Sequence, residues 1–269
     1  MFQVYISKMP KNDRLFYLVK QLEKPDLILL LKNGLRSEYK HLERYSCEYL
    51  IGLISKELRS AAGHSVVNLF RDRHDFPYKQ ILVDVANKLT EGYFSRSGFH
   101  THNNHSEEEI EKEIIRLFEL RTKKWWKGLE GSEKGKIVHQ INQAIDANII
   151  RSVSNGTLTN RITEKMLDGL IKRGLVGFFG GALLASVQWT VIINTIASMV
   201  GMQMLVGAGG ATLGMLGLSG AGVAAIVPGV VLSLTNTNYK KTIPAVIMLL
   251  SKIYMKNSDE GVLTSNLLL

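Results

Sequence analysis

A chain of 269 residues with 33 basic and 24 acidic side chains carries a formal net charge of +9. Its single cysteine, Cys47, excludes an intramolecular disulfide and makes a reducing compartment the default. No dense basic run alternates with aromatic residues and no zinc-finger spacing occurs, so no nucleic-acid partner is expected.

The opening MFQVYISKMPKNDR has no continuous apolar core, so a secretory signal is not expected. After a short extended start at residues 4–6, Asp13 is placed to cap a helix using Leu15, Leu18, Val19 and Leu22. Pro25-Asp26 opens a second helix, stopped by Asn33-Gly34. An amphipathic pattern over 37–60 predicts a long helix through Leu42, Tyr45, Tyr49, Leu50, Leu53 and Leu58. Cys47 lies in this pattern and is read as an inert thiol.

A charged loop, Arg71–Asp75, then leads to Pro77 and a helix whose apolar face is Ile81, Leu82, Val85, Ala86 and Leu89. Residues 92–105 form a polar loop. Ser106 with Glu109 predicts a capping box for a helix running to Lys127. Trp125 and Trp126 at its end suit either an interfacial anchor or packing on the body. A further helix is predicted at 132–149, a linker at 151–160 and a basic helix at 161–173. Near the C-terminus Thr242 is expected to cap a last helix with Pro244 in its first turn. Its predicted apolar face is Ile243, Val246, Ile247, Leu250, Ile253 and Tyr254.

Between these helices lies the most unusual feature. Residues 174–239 contain no Lys, Arg, Asp or Glu, while the other 203 residues hold all 57 charged side chains. A helix on a soluble surface must show water a polar face, and this stretch has little to show. Two runs inside it, 175–206 and 211–234, each reach the roughly 20 residues needed to cross a bilayer. A membrane-inserting hairpin is therefore expected, with a buried hairpin in a soluble protein as the alternative.

Small and polar residues mark the hairpin's expected helix contacts. They are Gly177, Gly181, Ser186, Thr190, Asn194, Ser198, Gly210 and Gly214, because lipid-embedded helices approach closely through small side chains. Leu184, Val187, Val191, Ile192 and Ile196 are expected to face acyl chains. Lys172, Arg173, Lys240 and Lys241 flank the stretch and predict that both of its ends stay on the cytoplasmic side.

Catalytic motifs are absent: there is no Walker loop, dinucleotide fingerprint, HExxH or GxSxG. The Arg-Asp-Arg-His-Asp loop reads as a surface salt-bridge cluster. His100, His102 and His105 are the metal-ligand candidates, but their spacing matches no zinc site, and they read as solvated loop residues. No cofactor and no catalytic residue are expected.

Two segments carry a family resemblance. GHSVVNLFRDRHDFPYKQILVDVANKL at 63–89 and YKKTIPAVIMLL at 239–250 resemble the YaaW-like bacterial family, in the same order and with an apolar Gly/Ala-rich region between. That family is grouped distantly with ubiquinol–cytochrome c chaperones, and the resemblance implies a role in membrane-protein assembly. The chain departs from it in its longer apolar stretch and in the loop around His100–His105.

The sequence thus predicts an all-α protein. A soluble helical body at 1–160 precedes the basic helix and membrane-active hairpin at 161–239, then a C-terminal amphipathic helix and tail at 240–269. The expected role is non-enzymatic: a pore-type or membrane-perturbing effector, or a membrane-anchored assembly factor. Its expected partners are the anionic lipid of a bacterial inner membrane, a protein client or its own copies, and its expected place is in that membrane or on its cytoplasmic face. The alternative is a cytoplasmic chaperone with a sheltered apolar hairpin.

Overall fold

The computed structural model describes residues 13–63, 76–90, 105–149, 161–174, 186–206 and 238–266. These are helical, with no strand among the described residues. The expected extended start at 4–6, the loop at 71–75, His100, His102 and the linker at 151–160 lie outside them.

Helix α1, Arg14–Lys20, starts where Asp13 accepts a hydrogen bond from the Phe16 amide, as the sequence predicts. Helix α2, Lys24–Leu29, has Pro25 in its first turn, where a missing N–H costs nothing. It runs into a wider turn, Leu30–Gly34. A Cβ on Gly34 would stand 3.1 Å from the Ala245 Cα and 3.2 Å from Met248 Sδ. Asn33-Gly34 therefore ends a helix and also lets the C-terminal helix come close.

The long helix expected at 37–60 is shorter. Leu42–Arg44 is a separate turn, reached through His41 in a left-handed conformation, and α3 is Cys47–Ala62. Ser46 caps it through the Tyr49 amide. Ser, Thr, Asn and Asp favour caps over helix interiors because their side chains compete for backbone amides, and Ser46 breaks the pattern for that reason. Cys47 is consequently the first residue of the helix and half-buried.

Helix α4 is Tyr78–Thr90 and α5 is Glu107–Lys127. The capping box of α5 is complete: the Ser106 amide and hydroxyl donate to Glu109, and the Glu109 amide donates to Ser106 Oγ. Arg121 of α5 donates to the Leu89 carbonyl, placing a cation at the C-terminal end of α4, where the helix dipole favours it. Helix α6 is Gly131–Ile149. Arg161–Thr163 are not helical, and α7, Glu164–Arg173, starts at a Thr163 cap. Asn142 of α6 fixes this re-entry with two bonds to the Ile162 backbone, at 2.8 and 2.9 Å.

Helix α8 spans Ser186–Val206 and α9 spans Tyr239–Asn266. The last helix begins three residues before the expected cap. Thr242 is instead inside it, its hydroxyl donating to the Asn238 carbonyl. Pro244 removes one amide donor, and the carbonyl left over belongs to exposed Lys240.

Helix α9 is the centre of the fold. It packs on α1, the Leu30–Gly34 turn, α3, α4 and α5, and most extensively on α8. Every side chain from Thr242 to Ile253 whose burial is described is buried, including Ala245, Met248 and Leu249, which lie off the predicted apolar face. A helix apolar all round has to be surrounded. Its one charged core residue, Lys252, is matched by Asp26 of α2 at 2.8 Å.

A polar network ties the first helices together beneath this core. Arg59 of α3 is 1% exposed; it bonds Ser55 Oγ, the Phe76 carbonyl and the Asp13 carboxylate. Arg14 of α1 makes a two-point pair with Glu111 of α5, at 2.6 and 2.7 Å. Hydrogen bonding to Glu111 holds the Arg14 guanidinium charged to well above its usual range. Burial pushes the Tyr78 hydroxyl up, and the Glu111 carboxylate pushes it further. Burial also raises the Glu107 carboxyl, with Asp13 and Glu111 adding like charge.

Candidate functional site

The charge-free stretch is held at both ends by the charged body. At its start Gly174 closes α7 with φ at +107°, a region that disfavours any side chain. A Cβ there would also stand 3.1 Å from a Glu119 carboxylate oxygen of α5. At its end the Asn238 amide donates to the Ala61 carbonyl at the C-terminus of α3, at 2.8 Å. Next to it Lys88 of α4 sits 5.3 Å over the Tyr239 ring. The flanking charges stay on the surface: Lys172 pairs with Asp168 at 2.7 Å, Arg173 and Lys240 are exposed and Lys241 is half-buried.

Within the stretch, α8 lies against α9 and also touches α5 and α6. Val191, Ile192, Ile193, Ile196, Ala197 and Val200 are buried in the same core as the body. This corrects the expectation that Val191, Ile192 and Ile196 face acyl chains. The aliphatic face found an aliphatic partner in α9, which the local sequence of α8 does not announce. Among the described residues, no helix is long and apolar enough to cross a membrane.

The polar stripe is split. Thr190 is buried, while Asn194 and Ser198 are half-buried at the seam with α6. Only the backbone of Ser186 is described, as the first residue of α8, and Gly177, Gly181, Gly210 and Gly214 lie outside the described residues. His105 is half-buried just before the α5 cap. Among the described residues no cluster of His, Cys, Asp or Glu is arranged to hold a metal ion.

At the seam, α6 and α8 leave an open groove of about 520 Å³, lined by Gln140, Gln143, Ala144, Asn194, Thr195, Ser198 and Met199. No lining residue is charged. The Asn194 Oδ1 and Gln140 Oε1 atoms are both buried and both lack a hydrogen-bond partner. The Thr195 hydroxyl is engaged by its own helix, donating to the Val191 carbonyl at 2.8 Å, and offers little to a visitor. Two unmet carboxamide acceptors on facing helices make this groove the clearest binding feature of the described residues, because buried polar atoms normally find partners.

No family model, characterised protein or solved structure matches this chain. Among the described residues the groove offers no nucleophile beside a base and no acid–base pair, and its polar lining is uncharged. Asn194 is legible from sequence as the most polar residue of the apolar stripe. Gln140 and Gln143 are not, since glutamines on the polar side of an amphipathic helix look like ordinary surface.

The tryptophans resolve the other way from an anchor. Trp125 and Trp126 are buried, and the Trp126 ring nitrogen donates to Asp168 of α7 at 3.1 Å. They hold α5 to α7.

An unmet acceptor gives a test of the groove. Asn194→Leu should raise the free energy of unfolding by about 1 kcal/mol, because it removes a buried oxygen that gains nothing from folding. Urea denaturation measures it. A loss of similar size would mean that the carboxamide has a partner in the folded protein.

Proposed function

We propose that this chain is a non-enzymatic, chaperone-like helical protein that carries a charge-free arm on a charged body and offers it to an apolar client. The client class is a segment of a membrane protein. One observation carries the reading. Helix α8 contains no charge, yet its aliphatic face is already covered by α9, so this part of the arm has a docked position on the body. Release would expose Val191, Ile192, Ile196 and Val200 together. The groove beside them is uncharged, and the buried Asn194 and Gln140 oxygens would become acceptors for a client's unpaired amides once α8 and α6 part. The resemblance to YaaW-like proteins, with their distant chaperone grouping, points the same way.

A second reading has its own support. Residues 207–237 add 31 more uncharged positions, and basic residues bracket the whole stretch at Lys172, Arg173, Lys240 and Lys241. That pattern suits an effector inserting a hairpin into a bacterial inner membrane with both ends inside.

Carbonate washing separates the two. The chaperone-like reading expects the protein in the supernatant of alkaline-washed membranes from producing cells. Retention in the pellet would overturn it in favour of the inserting effector.

A further inference from the structure

The body concentrates positive charge in the helices next to the point where the arm begins. Trp126 meets Asp168 while Glu119 meets Gly174, so α7 runs back along the C-terminal half of α5. The first turns of α6 join them, with Lys134 lying 5.5 Å over the Trp126 ring. Residues 119–136 and 161–174 together hold ten basic and five acidic side chains, over half of the chain's net charge of +9. Lys127, Lys136, Lys165, Lys172 and Arg173 are all exposed. Within these segments Lys172 and Asp168 pair and cancel, and Arg121 is turned to the Leu89 carbonyl, which leaves Lys127, Lys136, Lys165 and Arg173 as exposed cations beside them.

We infer that this α5–α6–α7 face docks the protein on an anionic phospholipid surface, with Gly174 and the start of the charge-free stretch held beside that surface. A bilayer is favoured over a nucleic acid by continuity. The same helix that presents Lys165, Lys172 and Arg173 leads directly into 66 residues without a charge, and the clients proposed above for that arm, segments of membrane proteins, are met at a bilayer and not on a nucleic acid. The contact is electrostatic in kind. Trp125 and Trp126 are buried in the body and cannot insert. Binding should therefore follow lipid charge and salt, and need not wait for the arm to leave α9.

The test uses the full chain with vesicles of phosphatidylcholine alone, and with about one third phosphatidylglycerol. Cosedimentation should show binding to the anionic vesicles only, with release as salt rises to about 1 M, where screening is nearly complete. Lys127→Glu/Lys165→Glu changes two exposed positions and should weaken binding at least about tenfold. Its thermal transition should match that of the parent, and Lys127→Gln/Lys165→Gln should fall between the two. Equal binding to neutral vesicles, or undiminished binding by a folded Glu variant, would overturn the inference. So would tighter, equally salt-sensitive binding to a DNA duplex, which would assign the face to nucleic acid. Failure of the arm reading looks different: retention after carbonate washing in parent and Glu variant alike.

Discussion

Ile247→Asp should abolish cooperative unfolding altogether. Ile247 is fully buried on α9, whose neighbours are α1, the Leu30–Gly34 turn, α3, α4, α5 and α8. An aspartate there has no cation to meet, since the one core lysine of α9, Lys252, is matched to Asp26. Burying an unpaired carboxylate costs more than about 4 kcal/mol, against a total stability of roughly 5–15 kcal/mol for an ordinary domain. Ile247→Val, which removes one methyl group, should cost only about 1 kcal/mol and keep a sharp transition. Circular dichroism on heating distinguishes them. A sharp transition in the Asp variant would mean that α9 is peripheral. By the same reasoning, a fragment ending at residue 160 should lack a cooperative transition, although its own amphipathic helices lead one to expect independent folding. Their apolar faces are completed by a helix that arrives about 80 residues later.

Glu111→Ala is expected to cost about 2–4 kcal/mol in urea denaturation. Glu111 is 2% exposed, and both its oxygens accept from Arg14. Removing it leaves a guanidinium whose side chain is 34% exposed, so water recovers part of the loss and the estimate stays below that for a fully enclosed pair. The double variant Arg14→Met/Glu111→Leu should recover most of the stability, because apolar groups of similar volume need no partner. A cost below about 0.5 kcal/mol for Glu111→Ala would show that the pair only decorates the α1–α5 contact.

What could be read from the sequence divides along physical lines. Local rules held where one turn decides the outcome: Asp13, Pro25 and the Ser106–Glu109 box mark helix starts where they were expected. They failed at Ser46, where an internal cap cut a seemingly continuous amphipathic pattern. They failed again at Thr242, whose hydroxyl serves the helix interior. Long-range packing was less legible. The aliphatic face of α8 suits lipid and α9 equally well, since neither offers hydrogen bonds, and periodicity cannot choose between them. The groove was half visible. Asn194 stands out in an apolar run, whereas Gln140 gains meaning only from α8 lying opposite. Arg14 and Glu111 are 97 positions apart, and nothing local links them.

Helix α8 rests on the body by its aliphatic face, and thiol labelling of the full chain tests this most directly. With Cys47 replaced by serine, Ile196→Cys and Ser198→Cys differ by two positions on the same helix. Ile196 is fully buried against the core and Ser198 opens on the groove. Ser198→Cys should react readily with a maleimide under native conditions. Ile196→Cys should react only as denaturant unfolds the protein. Equal and rapid labelling at both positions in the folded protein would contradict the docked arm.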